Sequence, residues 1–175
     1  PFVKRGAKVM WADIDPFTHV VTMENLEAKL SKNTRVLIVP HLYGYGCDMR
    51  EISQFAADND LILIEDAAQA FGVEVDRQKA GTFGDFGIYS FHSHKNISTL
   101  GEGGMLLVRD PERAQLVPML RHNGHCAFSE ARDDYWIPAM GDLDMPRLNG
   151  EYLWPSNFCI GEAECALGEK LIDQL

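Results

Sequence analysis

The feature that most constrains the fold is an alternation of short, wholly apolar runs with helix-like stretches of about three turns. Val36 to Val39 is one such run and Leu61 to Ile64 is another. A half-exposed strand alternates apolar with polar residues, so an unbroken apolar run belongs to a strand covered on both faces. Between the two runs, Asp48 to Asp58 reads as a helix capped by Asp48, with Ile52, Phe55 and Ala56 inward. Met23 to Leu30 reads as a shorter helix behind a Thr22 cap, and Ala7 to Trp11 as a strand. The pattern predicts an α/β fold, a mostly parallel sheet between helices. Ligands in such a sheet sit beyond the carboxyl ends of the strands, where Glu65 and Asp66 follow Ile64.

The rhythm then changes. Phe86 to Phe91 and Met105 to Val108 are strand-like, with Lys95 and the turn Gly101-Glu102-Gly103-Gly104 between them. That connection is too short for a helical crossover, so the pair is read as antiparallel. Pro111 to Arg121 reads as a helix opened by Asp110 and Pro111. His122 to Pro155 is irregular, polar and aromatic, and Gly161 to Leu175 reads as a helix with Ala163, Ala166 and Leu167 on one side. The chain lacks an initiator Met and stops at Leu175 inside a helix-like stretch, so it is read as a fragment.

Lys95 stands between a buried strand and a glycine-rich turn. A buried ammonium is costly unless it is paired or neutralised. One way to neutralise it is a Schiff base with pyridoxal phosphate (PLP). A surface lysine in an ordinary hairpin is the plainer alternative. The segment Ile64-Glu65-Asp66-Ala67-Ala68-Gln69 adds weight to the first reading. A pyridinium that acts as an electron sink needs an anionic partner, and Asp66 at a strand end suits it. The small residues at 67 and 68 let a flat ring approach the backbone, and Gln69 can donate to a phenolic oxygen. A helix cap is the plainer role for Asp66.

Asp66-Ala67-Ala68-Gln69, Gly81-Thr82-Phe83-Gly84-Asp85, Ser90-Phe91-His92-Ser93-His94-Lys95-Asn96 and Glu102-Gly103-Gly104, in this order and spacing, resemble the DegT/DnrJ/StrS family of sugar aminotransferases. The likeness runs from about Gly6 to Leu175 and is most specific from Ile64 to Gly104. It implies the large domain of fold-type I PLP transferases, a mostly parallel seven-stranded sheet, with residues 1–175 a partial PLP-binding domain. The N-terminal part and the C-terminal small domain would be missing. It implies that Lys95 holds PLP and moves the proton, that Asp66 pairs with the ring nitrogen, that Gln69 touches the phenolic oxygen and that Ser90 binds the phosphate. Asn157 would reach the phosphate of a partner subunit's cofactor, which implies a homodimer with shared active sites. The implied reaction moves an amino group from an amino acid, in first place glutamate, to a nucleotide-linked keto-sugar. Cyclic ketones are handled by similar enzymes.

The chain departs from the family at Cys159, where many relatives carry Arg, so sugar or carboxylate contacts are not carried over there. A PLP-dependent dehydratase on the same scaffold has histidine in place of the lysine. Counting from Ser90 and from Glu102-Gly103-Gly104 puts Lys95, not His94, at that position. A non-catalytic PLP-scaffold regulatory protein is the other rival, and the intact set of Lys95, Asp66 and Gln69 argues against it.

His92 and His94 alternate at a strand end but lack a third ligand at suitable spacing, so no metal is expected. His122, His125 and Cys126 read as a loop lip, Glu102 as a turn residue, and Tyr43, Tyr45 and Trp154 as packing. A net charge of -10 without a basic run speaks against nucleic acid as a partner. No apolar run approaches the ~20 residues that cross a bilayer, so no membrane partner is expected. Four cysteines without framework spacing, and no export signal, fit a reducing cytoplasm.

Overall fold

A computed structural model of the chain describes residues 1–124 and 146–174. Its elements are α1 (Met23–Glu27), β1 (Val36–Pro40), α2 (Met49–Asp58), β2 (Ile62–Asp66), β3 (Glu74–Val75), β4 (Gln78–Lys79), β5 (Phe86–Ser90), β6 (Gly104–Val108), α3 (Pro111–Arg121), β7 (Arg147–Leu148), β8 (Glu151–Tyr152) and α4 (Glu162–Ile172). The chain divides into two compact units, Pro1–Leu107 with Ala166–Leu175, and Val108–Cys165.

The first unit is built on a four-stranded sheet in the order β1-β2-β5-β6. β1 and β2 are parallel, with Val36 opposite Ile62 and Pro40 opposite Asp66. β2 and β5 are also parallel, with Asp66 opposite Ile88. Beyond β5 the chain reverses: the Phe91 N–H donates to Gly103 O (2.8 Å) and the Ser93 N–H to Gly101 O (2.9 Å). These bonds run in opposite chain directions, as the short connection predicts.

α2 carries the crossover from β1 to β2, and Asp48 caps it by accepting the Glu51 N–H. The connection from β2 to β5 has no helix. It passes through the turn after Asp66 and a tight hairpin, β3–β4, whose Asp76 and Arg77 both have positive φ (51° and 67°). Two consecutive left-handed residues give the twist that a two-residue hairpin needs.

Side chains of one parity point into the core. Val39, Leu63, Ala67, Tyr89 and Phe91 are buried there, and so is Glu65. Leu26 of α1 and Met49, Ile52 and Ala56 of α2 pack against Val39 and Leu63. Each of these side chains larger than alanine contributes roughly 1.5–3 kcal/mol when fully buried. Leu171 and Ile172 at the end of α4 pack against the cluster of Ala67, Tyr89 and Phe91. Ala163 and Ala166 are exposed, so the buried side of α4 is formed by Gly168, Leu171 and Ile172 rather than by the alanines. On the opposite sheet face Ile38 and Ile88 remain 46% and 40% exposed within this unit.

Ala7 to Trp11 does not form the expected strand. A strand needs a ladder partner, and in this segment Val9, Met10 and Trp11 are exposed. Among the described residues, the pairing nearest to it is the bridge between Ile14 and Val21.

The second unit holds α3, which Asp110 caps through the Glu112 N–H (2.9 Å) with Pro111 in the first turn. The Ser156 N–H donates to Leu120 O and the Phe158 N–H to Arg121 O, tying residues 156–158 to the end of this helix. β7 and β8 form a small antiparallel hairpin with Arg147 stacked on the Tyr152 ring. His125 and Cys126 lie outside the described residues.

Candidate active site

The site is built at the carboxyl ends of β2 and β5. Asp66 is the last residue of β2 and shares a sheet face with Ile88, hence with Ser90 two residues on. The Ala67 N–H donates to Ile88 O (2.9 Å) and extends the pairing past the strand. Asp66 is half-buried, and one of its carboxylate oxygens accepts the Ala68 N–H (3.1 Å). Its other oxygen has no partner among the described residues. Ala67 is fully buried and Ala68 half-buried, so the chain beside Asp66 is thin.

Gln69 is held by a turn from the neighbouring strand. After β1 the chain makes a single 3-10 turn, Leu42–Gly44, in which Tyr43 adopts a left-handed conformation (φ 54°). The Tyr43 N–H donates to Gln69 Oε1 (2.8 Å). Because a backbone N–H can only donate, the amide is oriented with its NH₂ free to donate elsewhere. Tyr43 and Tyr45 are 73% and 59% exposed, so neither fills the core, contrary to the packing role expected of them. Trp154, in the second unit, is likewise exposed.

Ser90 and Lys95 follow on β5 and its turn. Ser90 Oγ accepts the His92 N–H (3.4 Å), which leaves its O–H to donate. The Lys95 N–H donates to His92 O (2.9 Å), closing the turn that presents the side chain. Lys95 is half-buried and its ammonium has no ion pair among the described residues. In a chain with a net charge of -10, an unpaired, half-buried amine is a group available to something else. His92 faces His94 edge-on (5.1 Å between ring centroids), and its Nε2 lies 3.6 Å from the exposed Glu102 carboxylate.

Asn157 belongs to the second unit. It is exposed, bridges to His122 and accepts the Cys159 N–H on Oδ1 (3.2 Å), with its NH₂ left as a donor.

Sequence reasoning missed the best-built feature of the region. Glu65 is fully buried and its carboxylate collects four donors: His41 Nε2 (2.9 Å) and the Gly81 N–H (2.8 Å) on one oxygen, the Phe83 and Gly84 N–H groups (2.6 Å each) on the other. Burial alone would push its pKa up. The bonds from His41, Gly81 and Gly84 outweigh burial and hold it below the ordinary glutamate range. Gly81, at φ +94°, lets residues 81–84 wrap around the carboxylate. The signal was parity: Glu65 alternates with Leu63 and Ala67, so a strand with Asp66 outward must turn Glu65 inward.

The fit to PLP is a matter of donors and acceptors. A phosphate needs N–H or O–H donors, a protonated ring nitrogen needs an anion and an aldehyde needs an amine. Ser90, Asp66 and Lys95 supply these groups, and Gln69 adds an amide donor for a phenolic oxygen.

The model of the DegT/DnrJ/EryC1/StrS aminotransferase family matches residues 1–172. The chain is 34% identical over 170 residues to L-glutamine:2-deoxy-scyllo-inosose aminotransferase of Streptomyces kanamyceticus, covering 97% of this chain and 38% of that protein. It is 37% identical over 136 residues to GDP-perosamine synthase of Caulobacter vibrioides, covering 78% of this chain and 35% of that one. Among solved structures, an aminotransferase from Psychrobacter cryohalolentis superposes with a TM-score of 0.82 at 29% identity, over 98% of this chain and 42% of that one. The chain thus spans about a third of the length of these curated relatives.

Proposed function

The chain belongs to the DegT/DnrJ/EryC1/StrS aminotransferase family, and from that premise we propose that its strand ends hold PLP for the transfer of an amino group to a keto-sugar or related cyclic ketone. The observation that carries this reading is the unpaired ammonium of Lys95, in the turn that follows β5, the strand paired with the one that ends at Asp66.

Bound PLP supplies an electron sink that makes the proton on the substrate's amino-bearing carbon removable. The rest is the work of the chain's own groups. The free oxygen of Asp66 accepts from the ring nitrogen and keeps it protonated. The Gln69 NH₂, oriented by Tyr43, donates to the phenolic oxygen. The Ser90 hydroxyl donates to the phosphate. Lys95 would hold PLP through its amine, and the same amine would serve as base and acid at the reacting carbon. Asn157 serves the phosphate of a partner subunit's cofactor, in a homodimer with shared sites. A nucleotide-linked sugar is the ketone we favour, as with the GDP-perosamine synthase. A cyclitol ketone, as in the name of the scyllo-inosose enzyme, is the variant to test beside it. Glutamate and glutamine are the amino donors to compare. No helix among the described residues is long and apolar enough to cross a membrane. We assign the protein to the cytoplasm on Cys47, Cys159 and Cys165, which are free cysteines among the described residues.

The test uses the full-length protein loaded with PLP. Borohydride reduction followed by peptide mapping is expected to leave a phosphopyridoxyl label on Lys95. Lys95→Ala is expected to abolish both the label and turnover, with a loss of at least about 10²-fold. A label that persists on another residue of the variant overturns the assignment.

A further inference from the structure

His41 is 1% exposed and Glu65 is fully buried, yet no step above uses either. His41 is bonded three times. Its backbone N–H donates to the carbonyl of Asp66 (3.0 Å). Its ring Nε2 meets the Glu65 carboxylate (2.9 Å), and its ring Nδ1 accepts the Cys47 N–H (3.2 Å). A backbone N–H has no lone pair to offer, so Nδ1 must carry one, and the proton must then sit on Nε2, directed at Glu65. The bonding pattern therefore fixes a neutral imidazole in a single tautomer. One residue thus grips both members of the Glu65-Asp66 pair, by main chain and by side chain, at the strand end where the candidate site is built. Glu65 in turn anchors residues 81–84, so the far side of that strand end is held as well.

We propose that His41, as the neutral Nε2–H tautomer, is a positioning residue that sets where the Asp66 carboxylate points. The inference rests on the reading that Asp66 faces the ring nitrogen of PLP. Its role is distinct from mere core filling. A phenylalanine fills nearly the same volume but leaves Glu65 one donor short and the Cys47 N–H without an acceptor, which a buried carboxylate and amide do not tolerate unmoved. A glutamine offers both a donor and an acceptor on one side chain.

Two measurements test it. In full-length protein labelled with 15N-histidine, the His41 ring is expected to show an unprotonated Nδ1 and a protonated Nε2, with or without cofactor. The opposite tautomer or an imidazolium overturns the bonding scheme. With PLP labelled with 15N at the ring nitrogen, His41→Phe is expected to bind about tenfold more weakly, the scale of one lost charge-assisted bond. Its ring-nitrogen signal is expected to move toward the unprotonated position, and His41→Gln to restore both properties. A folded His41→Phe with wild-type affinity and signal overturns the proposal. Should that variant not fold, the wild-type tautomer and the glutamine variant decide: a glutamine variant that departs from wild type in the ring-nitrogen signal overturns it. Asp66→Asn separates the two readings. If its ring-nitrogen signal equals that of wild type, Asp66 is not the ring's partner and the functional reading fails, whereas the tautomer of His41 is read without any cofactor.

Discussion

At the scale of single residues, the buried carboxylate sets the acid limit of the fold. Glu65 is held below the ordinary glutamate range in the folded chain, so the folded state binds its proton less readily than the unfolded state does. The stability this gives is complete above the unfolded value, about 4.5, and is lost as pH falls through the lower folded value. Denaturation midpoints are expected to fall steeply on acidification below that point in the wild type and less steeply in Glu65→Gln. Glu65→Ala strands the donors of His41, Gly81, Phe83 and Gly84, and is expected to destabilise the fold at neutral pH by about 1–3 kcal/mol for each donor left unsatisfied. Equal acid limbs for wild type and Glu65→Gln in a urea titration across pH defeat this account. The neighbouring thiol behaves oppositely. Burial pushes Cys47 up to about 11, with the Glu65 charge adding to it, so at neutral pH it is a protonated, inert thiol. Cys159 and Cys165 are exposed. A maleimide pulse followed by peptide mapping is expected to modify those two in the folded state and Cys47 only after denaturation.

At the scale of elements, two glycines separate close packing from mere contact. A Cβ on Gly87, in the middle of β5, would lie 1.9 Å from the Gly81 carbonyl oxygen, a backbone atom that cannot step aside without breaking the wrap around Glu65. A Cβ on Gly168, in α4, would meet the Thr99 Cγ2 at 3.0 Å, a side-chain methyl with some room to give. Alanine also gains about 1 kcal/mol over glycine in a helix interior. Gly87→Ala is therefore expected to lower the thermal midpoint far more than Gly168→Ala, whose two effects nearly cancel. Similar midpoints for the pair would show that β5 and the 81–84 wrap are not in close contact. The same elements mark what was legible in the sequence. β1, α2, β2, β5, β6 and α3 follow from apolar runs, caps and a proline in the first turn, all of which act locally. The candidate site residues Asp66, Gln69, Ser90 and Lys95 stand out in the sequence as motif residues, and the structure adds which of their atoms are left over. Ala7 to Trp11 was misread because an apolar run records only that a strand is possible, whereas its ladder depends on a partner elsewhere. The β3–β4 hairpin escaped notice because Asp76 and Arg77 make its turn without the glycine that usually announces one. The Glu65 and His41 pair, 24 residues apart in sequence, joins β2 to the residue that follows β1, and only the register of those strands brings it about.

At the scale of the whole molecule, the first unit buries one sheet face and leaves apolar groups on the other. Ile38 and Ile88 are 46% and 40% exposed there, with Ile64 half-buried between their strands, and Met105 and Leu106 are exposed on β6 at the sheet edge. Among the described residues β6 is the last strand of the sheet, and exposed apolar groups beside such a strand attract either dye or another chain. The net charge of -10 opposes association at low ionic strength, since like-charged chains repel over about a Debye length. The 175-residue chain on its own is therefore expected to bind the dye ANS at neutral pH, and to self-associate as salt screens that repulsion. The pair Ile38→Thr with Ile88→Thr should reduce both effects while shifting stability by no more than about 0.5 kcal/mol per site, because threonine suits a strand and these positions are already wet. Leu63→Thr, on the buried face, should instead unfold the chain. ANS fluorescence, light scattering against salt and urea midpoints read these together. If the threonine pair unfolds the chain as Leu63→Thr does, the face is packed rather than open; if dye binding is unchanged in the pair, the exposed surface lies elsewhere.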